Sequence, residues 1–317
     1  MPRHIVSATD YTGDDLKTIF GRARLHKGVK RRNSANSLEG MLVALAFEKP
    51  STRTYSSFYA AMVRCGGNVL PIPDAGVFSS FSKDESIEDT IEVLSDNCDA
   101  IVMRHGQEDA AARAATAARV PFINAGNGTY EHPTQALLDL FTIWEACESG
   151  RLPRRPLRIE FFGDNTKSRT VRSLGFLLEQ HAKTLDVDIE SVRFSGPAYC
   201  WQPPIDLLES FSSIPVTTGN NDPVAFLPQT DVLYLTRTQR EHYTTEERAA
   251  MSSSSPFVFT RTHAELMPKH ALIMHPLPRN FELSTSVDAD KRAFYFPQAA
   301  NGWPVRAALL ELLLDVL

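Results

Sequence analysis

The sequence predicts an α/β protein of two domains, each a parallel β-sheet flanked by helices. Apolar runs of strand length alternate with helical runs along the chain, as they do in parallel sheets joined by crossover helices. The alternation is broken once, at residues 149–156, where glycine, proline and charged residues cluster. At 317 residues the chain is long enough for two domains of ordinary size. We therefore expect a domain boundary near residue 150.

The first domain is expected over residues 1–149, completed by a C-terminal segment from about residue 290 to 317. Serine is a preferred helix N-cap and glycine a preferred C-cap, so a helix is expected from Ser51 to Gly66-Gly67. Ser86 and Asp89 form a capping box for another helix. The predicted strands are 41–47, 68–73, 100–103 and 122–125, and the other predicted helices are 14–25, 108–119 and 136–148. A final helix, 305–317, carries a leucine-rich face that must be buried, and we expect it to pack back on this domain.

The second domain, residues 150–289, repeats the alternation. Its predicted strands are 157–162, 192–194, 231–236 and 271–274, and its predicted helices are 169–180, 205–211 and 244–251. The serines at 252–255 are expected to form a loop that moves.

Composition excludes several classes of function. The chain has 33 Lys and Arg against 38 Asp and Glu, a net charge of −5, which does not suggest a protein that binds nucleic acid or a membrane surface. No apolar run approaches the roughly 18 residues of a membrane span, and the N-terminus lacks the apolar core of a signal peptide. The four cysteines stand far apart, so we expect reduced thiols in a cytoplasmic protein and no metal site.

One polar motif, Ser51-Thr-Arg-Thr54, follows the first buried strand and opens a helix. Hydroxyls, a guanidinium and free N–H groups at a helix N-terminus suit an oxyanion or a phosphate. Further cations and amides follow the other strands, at the edge where open parallel sheets bind ligands. These candidates are Thr52, Arg53, Arg104, His132, Gln135, Arg169, Arg237, Gln239 and Arg279. Such a set favours a substrate with several negative charges. No P-loop or GxGxxG motif is present, which disfavours a nucleotide.

These segments resemble the aspartate/ornithine transcarbamylase family, and within it the enzymes that act on aspartate. The matching segments are Ser51-Thr-Arg-Thr54, Met103-Arg-His105, His132-Pro-Thr-Gln-Ala-Leu-Leu-Asp-Leu-Phe141, Gly163-Asp164 with Arg169-Thr-Val-Arg-Ser-Leu174, Leu235-Thr-Arg-Thr-Gln239, His275-Pro-Leu-Pro-Arg279, and Gln298-Ala-Ala-Asn-Gly302 with Arg306. Their order and spacing run over most of the chain. The resemblance implies transfer of a carbamoyl group from carbamoyl phosphate to the α-amine of L-aspartate, which gives N-carbamoyl-L-aspartate and phosphate. This is the second step of pyrimidine biosynthesis.

The resemblance also implies a role for each candidate residue. Carbamoyl phosphate would be held by Ser51, Thr52, Arg53, Thr54, Arg104, His132, Gln135, the backbone of Pro276 and Leu277, and Ser79 and Lys83 from a neighbouring subunit. The carboxylates of aspartate would be held by Arg169, Arg237, Gln239 and Lys83. The groups implied to act in catalysis are Arg53, Thr54, Arg104, His132 and Lys83. A homotrimer with shared active sites is implied, and neither a metal nor another cofactor is needed. Nothing in the chain supports a separate regulatory chain.

Some features leave alternatives open. Lys49, before the motif, looks more like the ornithine enzymes than the aspartate enzymes, and Tyr55, after it, stands where a basic residue is expected. The second domain favours aspartate, because Arg237 would repel the ammonium of ornithine. Ornithine or another amino acid remains an alternative acceptor, and an inactive relative that binds anions or a partner is a third reading. Arg306 is expected to be a structural ion-pair residue, while Arg279 is left open between a pocket wall and a salt bridge between the domains.

Overall fold

The computed structural model describes residues 2–28, 36–48, 51–72, 85–219, 223–252 and 257–316. The chain divides into two compact units. The first unit comprises Met1–Leu138 and Asn301–Leu317, and the second comprises Asp139–Ala300. Each unit holds one sheet whose strands all run parallel, which confirms the predicted fold class.

The first unit is built on a four-stranded sheet in the order β2-β1-β3-β4. The strands are β1 (Leu42–Phe47), β2 (Asn68–Ile72), β3 (Ala100–His105) and β4 (Phe122–Asn127). The helices are α1 (Gly13–Gly28), α2 (Thr52–Arg64), α3 (Ile87–Ser95), α4 (Ala110–Ala117) and α5 (Pro133–Glu148), the last of which runs on into the second unit. β1 and β3 form the middle of the sheet, so the segments that follow them lie side by side at its carboxyl edge.

The predicted caps are present in part. Ser86 accepts a hydrogen bond from the Asp89 N–H at 3.0 Å and starts α3 as expected. Gly66 has a φ of +83°, the left-handed conformation that ends α2. Ser51 occupies the N-cap position of α2, but its side chain makes no capping hydrogen bond. Its hydroxyl is therefore not committed to the helix.

The C-terminal helix, α11 (Gly302–Leu313), packs against α1 and α2, as the sequence predicted. Its buried carboxylate, Glu311, accepts hydrogen bonds from Arg22 Nε at 2.7 Å and from the Ser37 hydroxyl, and it lies 3.0 Å from His26 Nε2. Burial raises the pKa of Glu311, but its bonds to His26, Arg22 and Ser37 outweigh this and lower it to about 2. An ionised carboxylate thus fastens the last helix to α1.

The second unit is built on a five-stranded sheet in the order β7-β6-β5-β8-β9. Its strands are β5 (Leu157–Phe162), β6 (Ile189–Ser195), β7 (Val216–Gly219), β8 (Val232–Leu235) and β9 (Leu272–Met274). Its helices are α6 (Arg169–His181), α7 (Ile205–Ser210), α8 (Thr245–Ser252), α9 (Arg261–Leu266) and α10 (Tyr295–Ala300). A stacked pair, Phe161 and Phe194, joins β5 to β6 in the core with ring centroids 5.1 Å apart.

Three elements of this unit were not predicted: β7, α9 and α10. Within the expected serine loop, Ser252 is the last residue of α8, and residues 253–255 lie outside the described part of the chain. Arg104 was expected just after a strand and instead lies within β3, one residue from its end. None of the described helices is long and apolar enough to cross a membrane.

Candidate active site

In the first unit, seven predicted site residues belong to three segments at the carboxyl edge of the sheet. We call them the donor half-site: Ser51, Thr52, Arg53, Thr54, Arg104, His132 and Gln135. Four come from the start of α2, one from the end of β3, and two from the start of α5. Thr52 and Arg53 are exposed, whereas Thr54 and His132 are buried.

A direct contact joins two of these segments. Thr54 Oγ1 lies 3.3 Å from His132 Nε2, so the hydroxyl on α2 and the imidazole before α5 form one polar group. Gln135 follows one turn later, and its backbone N–H donates to the His132 carbonyl at 3.0 Å. The structure therefore brings together Thr54 and His132, which are 78 residues apart in the sequence.

Two arginines stand close to one another in the donor half-site. Burial and the positive charge of Arg53 together lower the pKa of Arg104 to about 10. Arg104 still carries its charge at neutral pH, and its buried Nε has no hydrogen-bond partner among the described residues. Two like charges held together, with a donor uncommitted, form a site whose natural ligand is an anion.

The helix that carries the motif is supported from below. The Arg306 guanidinium donates to the Ser57 hydroxyl and lies 3.4 Å from Thr134 Oγ1, with its carbon 5.1 Å from the Phe58 ring centre. The Ser57 hydroxyl in turn approaches the Arg53 carbonyl at 2.7 Å. A structural role for Arg306 therefore fits this geometry, and the described partners of its guanidinium are hydroxyls.

Tyr55, which departs from the pattern of the aspartate enzymes, supports α2 through aromatic contacts. Its ring meets Phe47 edge-on with centroids 5.3 Å apart and stacks on Tyr59 at 6.3 Å. The helix start is thus packed against the end of β1 without a basic residue at this position.

In the second unit, three predicted residues form what we call the acceptor half-site: Arg169, Arg237 and Gln239. Arg169 is the first residue of α6, and the other two follow β8. The exposed His242 lies near both cations. Burial lowers the pKa of His242, the charge of Glu241 raises it, and the charges of Arg169 and Arg237 lower it. Two guanidinium groups and a carboxylate therefore act on His242 at the carboxyl edge of this sheet.

Asp164 organises the acceptor half-site, although no role was predicted for it. Its fully buried carboxylate accepts from the N–H groups of Lys167 and Gln239, both at 2.9 Å, and from the Tyr243 hydroxyl at 2.8 Å. Burial raises the pKa of this carboxyl, and these three hydrogen bonds oppose the rise. The segments that carry Arg169 and Gln239 are thereby held to one carboxylate.

A glycine makes this arrangement possible. Gly163 has a φ of +125°, and a Cβ built on it would stand 2.3 Å from the Thr236 carbonyl oxygen. The loop after β5 therefore approaches β8 more closely than any side chain allows. The pair Gly163-Asp164 directly after a strand was the sequence signal for both residues.

The Arg237 side chain contacts a carboxylate of the protein as well as solvent. Its guanidinium pairs with Glu241 four residues later, with one N–O distance of 3.1 Å. This contact raises the pKa of Arg237. A substrate carboxylate that binds Arg237 therefore has to displace a carboxylate of the protein itself.

The segment His275-Pro-Leu-Pro-Arg279 follows β9. Leu277 has a φ of +54°, and its N–H donates to His275 Nδ1 at 2.8 Å. Arg279 pairs with Asp288 and approaches the Tyr295 hydroxyl at 3.3 Å, and all three residues belong to the second unit. The described salt bridge of Arg279 lies within one unit, so it is not the salt bridge between domains that the sequence left open.

Two predicted site residues, Ser79 and Lys83, lie outside the described residues, as does Lys49. Among the described residues, one cluster combines three metal-ligand types: His26, Cys65 and Glu311. Its carboxylate is bound by Arg22, and burial together with the charge of Glu311 raises the pKa of the Cys65 thiol to about 11. The cluster is therefore an ion-pair network of the fold, and none of its three residues belongs to a half-site.

Comparison with known proteins assigns both halves of the chain to one family. Residues 3–145 match the aspartate/ornithine carbamoyltransferase, carbamoyl-P binding domain, and residues 156–313 match the aspartate/ornithine carbamoyltransferase, Asp/Orn binding domain. The chain is 40% identical to the chloroplastic aspartate carbamoyltransferase of Oryza sativa subsp. japonica over 98% of its own length and 84% of that protein. It is also 40% identical to the Arabidopsis thaliana protein of that name, over 98% and 77% of the two chains.

Solved structures agree. Aspartate transcarbamoylase from Trypanosoma cruzi in complex with carbamoyl phosphate and aspartate has a TM-score of 0.88 and 34% identity, covering 98% of this chain and 96% of that one. The ligand-free form of the same enzyme has a TM-score of 0.82 at 32% identity, with 98% and 96% coverage. The chain therefore belongs to the aspartate/ornithine carbamoyltransferase family.

Proposed function

We propose that the protein is an aspartate carbamoyltransferase, which transfers the carbamoyl group of carbamoyl phosphate to the α-amine of L-aspartate. The observation that carries the donor is the pair Arg53 and Arg104 beside the contact between Thr54 and His132. The relatives named for aspartate and the second unit's cations support the acceptor. Aspartate brings two carboxylates, and Arg169 and Arg237 offer one guanidinium for each.

In this proposal, each half-site residue binds a stated part of a substrate, and Thr54 binds two. Carbamoyl phosphate is bound at its phosphate by Ser51, Thr52, Arg53 and Thr54, at its carbonyl oxygen by Thr54, Arg104 and His132, and at its amino group by Gln135. The backbone of Pro276 and Leu277, with Ser79 and Lys83, completes the set. Arg169 binds the α-carboxylate of aspartate, and Arg237 with Gln239 binds the β-carboxylate.

The reaction follows from these tasks. The neutral α-amine attacks the carbamoyl carbon, a C–N bond forms, and the C–O bond to the phosphate breaks. Negative charge develops on the carbonyl oxygen, where His132 donates a hydrogen bond and Arg104 supplies positive charge. The amine proton leaves with the phosphate or to solvent. Holding two anions in contact, which their charges oppose in water, supplies much of the acceleration.

The domain roles and the assembly are also part of the proposal. Residues 1–149, with about 290–317, bind carbamoyl phosphate, and residues 150–289 bind aspartate. The family description of residues 3–145 as a carbamoyl-P binding domain supports the first assignment. We further propose a cytoplasmic homotrimer that shares its active sites, needs no cofactor and serves pyrimidine biosynthesis.

The deciding experiment is an assay of phosphate release from carbamoyl phosphate with L-aspartate, with ornithine and with other amino acids. We expect turnover with aspartate and none above background with ornithine. Arg53→Ala is expected to abolish turnover almost completely. Activity with ornithine alone would show that ornithine, and not aspartate, is the acceptor. No activity with any amino acid would favour an inactive relative that binds anions.

Sharing of sites is tested by mixing chains. Lys83→Ala and Arg53→Ala chains are each expected to be nearly inactive, and a mixture of the two should recover activity because some sites combine the intact halves. Light scattering and mass labelling verify that subunits have exchanged. No recovery after verified exchange would argue that each site is built from one chain.

A further inference from the structure

The segment after β9 contains a residue in a strained conformation. Leu277 has a φ of +54°, in the left-handed region that a bulky L-residue rarely adopts. Such a conformation is unfavourable by itself and persists only where the surroundings enforce it. Leu277 is also one of the residues proposed to bind carbamoyl phosphate, so what holds its backbone bears on the reaction.

The structure shows what holds it. The Leu277 N–H donates to His275 Nδ1 at 2.8 Å. Because Nδ1 accepts this bond, the proton of a neutral imidazole must be on Nε2, which lies 3.0 Å from Glu282 Oε1. His275 and Glu282 are both buried, and Glu282 Oε1 also accepts from the Asn280 N–H at 2.8 Å. The carboxylate therefore selects the tautomer that Leu277 needs.

The backbone of His275 is anchored as well. The His275 backbone N–H donates to Gln298 Oε1 at 2.8 Å, and Gln298 Nε2 donates to Asp139 Oδ1 at 2.6 Å. Asp139 also accepts from the Tyr234 hydroxyl at 2.6 Å. This buried chain of hydrogen bonds, from α5 through α10 to the end of β9, fixes the backbone from which the imidazole extends.

We propose that His275 is a positioning residue for carbamoyl transfer: its Nδ1 holds the Leu277 backbone in the conformation that binds carbamoyl phosphate. The inference rests on the proposed function. His275 is not a catalytic residue in this scheme, because both ring nitrogens are committed to the protein. Its contribution is to order Leu277 before the substrate arrives.

Two substitutions distinguish the contact made by Nδ1 of the imidazole from the contact made by Nε2. In His275→Asn the side-chain oxygen takes the place of Nδ1 and can accept from Leu277, but the contact with Glu282 is lost. In His275→Gln the amide reaches the place of Nε2, which keeps the Glu282 contact but leaves the Leu277 N–H without its acceptor. We expect kcat/KM for carbamoyl phosphate to fall about tenfold in His275→Gln, the effect of one lost hydrogen bond, and less than about threefold in His275→Asn.

A merely structural histidine would not give this order, because the asparagine variant loses the contact with the buried carboxylate. Equal losses in the two variants, or a greater loss in His275→Asn, would overturn the inference. Wild-type enzyme assayed beside them separates the two questions. An inactive wild type would overturn the proposed function, and this inference with it.

A second measurement needs no variant and so does not depend on folding. Amide hydrogen exchange of the wild-type chain, resolved at single residues, should show Leu277 protected although it lies in a loop, because its N–H is bonded to His275. Exchange of this amide at the rate of an unstructured chain would show that the bond is not maintained in solution. That result would overturn the inference whatever the kinetics of the variants.

Discussion

If Arg237 binds the acceptor as proposed, its partner Glu241 competes with the substrate carboxylate, and removing the charge of Glu241 should strengthen aspartate binding. The pair is partly exposed, with 25% of the Arg237 side chain and 49% of the Glu241 side chain accessible. An exposed pair of this kind contributes about 0.2–1 kcal/mol. In Glu241→Gln the substrate no longer has to break this ion pair. KM for aspartate should therefore fall about 1.4- to 5-fold, with kcat little changed.

The chain offers a matched control for this substitution. Arg261 and Glu265 form another exposed pair at the same four-residue spacing, on a helix that carries none of the proposed site residues. Glu265→Gln makes the same change in net charge and should leave both kinetic constants unchanged. Steady-state rates at saturating carbamoyl phosphate, with aspartate varied, measure the difference.

The competing outcome is equally informative. If Glu241→Gln raises KM for aspartate, then Glu241 orients Arg237 for the substrate and does not compete with it. If Arg237→Ala leaves KM unchanged, Arg237 does not bind the acceptor at all. Arg237→Ala should remove a charge-assisted hydrogen bond of about 1.5–3 kcal/mol, so KM for aspartate should rise by at least about tenfold.

Three further predictions concern buried features. Burial raises the pKa of Glu160 from 4.5 to about 7, so the folded state keeps a proton that the unfolded state loses, and stability should fall as pH rises from about 4.5 to 7. Urea titrations should show that Glu160→Gln flattens this dependence and that Glu190→Gln does not. Gly163→Ala would drive a Cβ against the Thr236 carbonyl, and we expect KM for aspartate to rise at least about tenfold, an unchanged value refuting the close approach. Glu311→Gln should lower the free energy of unfolding by about 1–3 kcal/mol, and an unaltered denaturation midpoint would show that the carboxylate does not fasten the last helix.

The regular elements were predictable because their signals are local. The buried strand Leu157–Phe162 was predicted with both ends correct, since Pro156 precedes it and Gly163-Asp164 ends it. The edge strand Val216–Gly219 was missed because its two threonines are exposed and its apolar content is low. The helices Arg261–Leu266 and Tyr295–Ala300 have six residues each, too few for a helical period to be evident.

The site was predictable as residue types and not as contacts. The sequence placed Thr54 and His132 at one edge of a sheet, and the structure joins them directly. It gave no sign that Glu241 pairs with Arg237, because a spacing of four residues becomes a contact only where the backbone turns as in a helix. The role of Asp164 depends on hydrogen bonds from segments up to 79 residues away, which no pattern of one sequence reveals.

The C-terminal helix has a consequence for how the chain is made. The second unit, residues 139–300, is continuous, and every strand of its sheet has been synthesised before residue 301 is added. The first unit instead stays incomplete until Gly302–Leu313 is synthesised, packs on α1 and α2, and brings Glu311 to Arg22. The half of the molecule synthesised first is therefore completed last, and until then the faces of two helices stay open to chaperones.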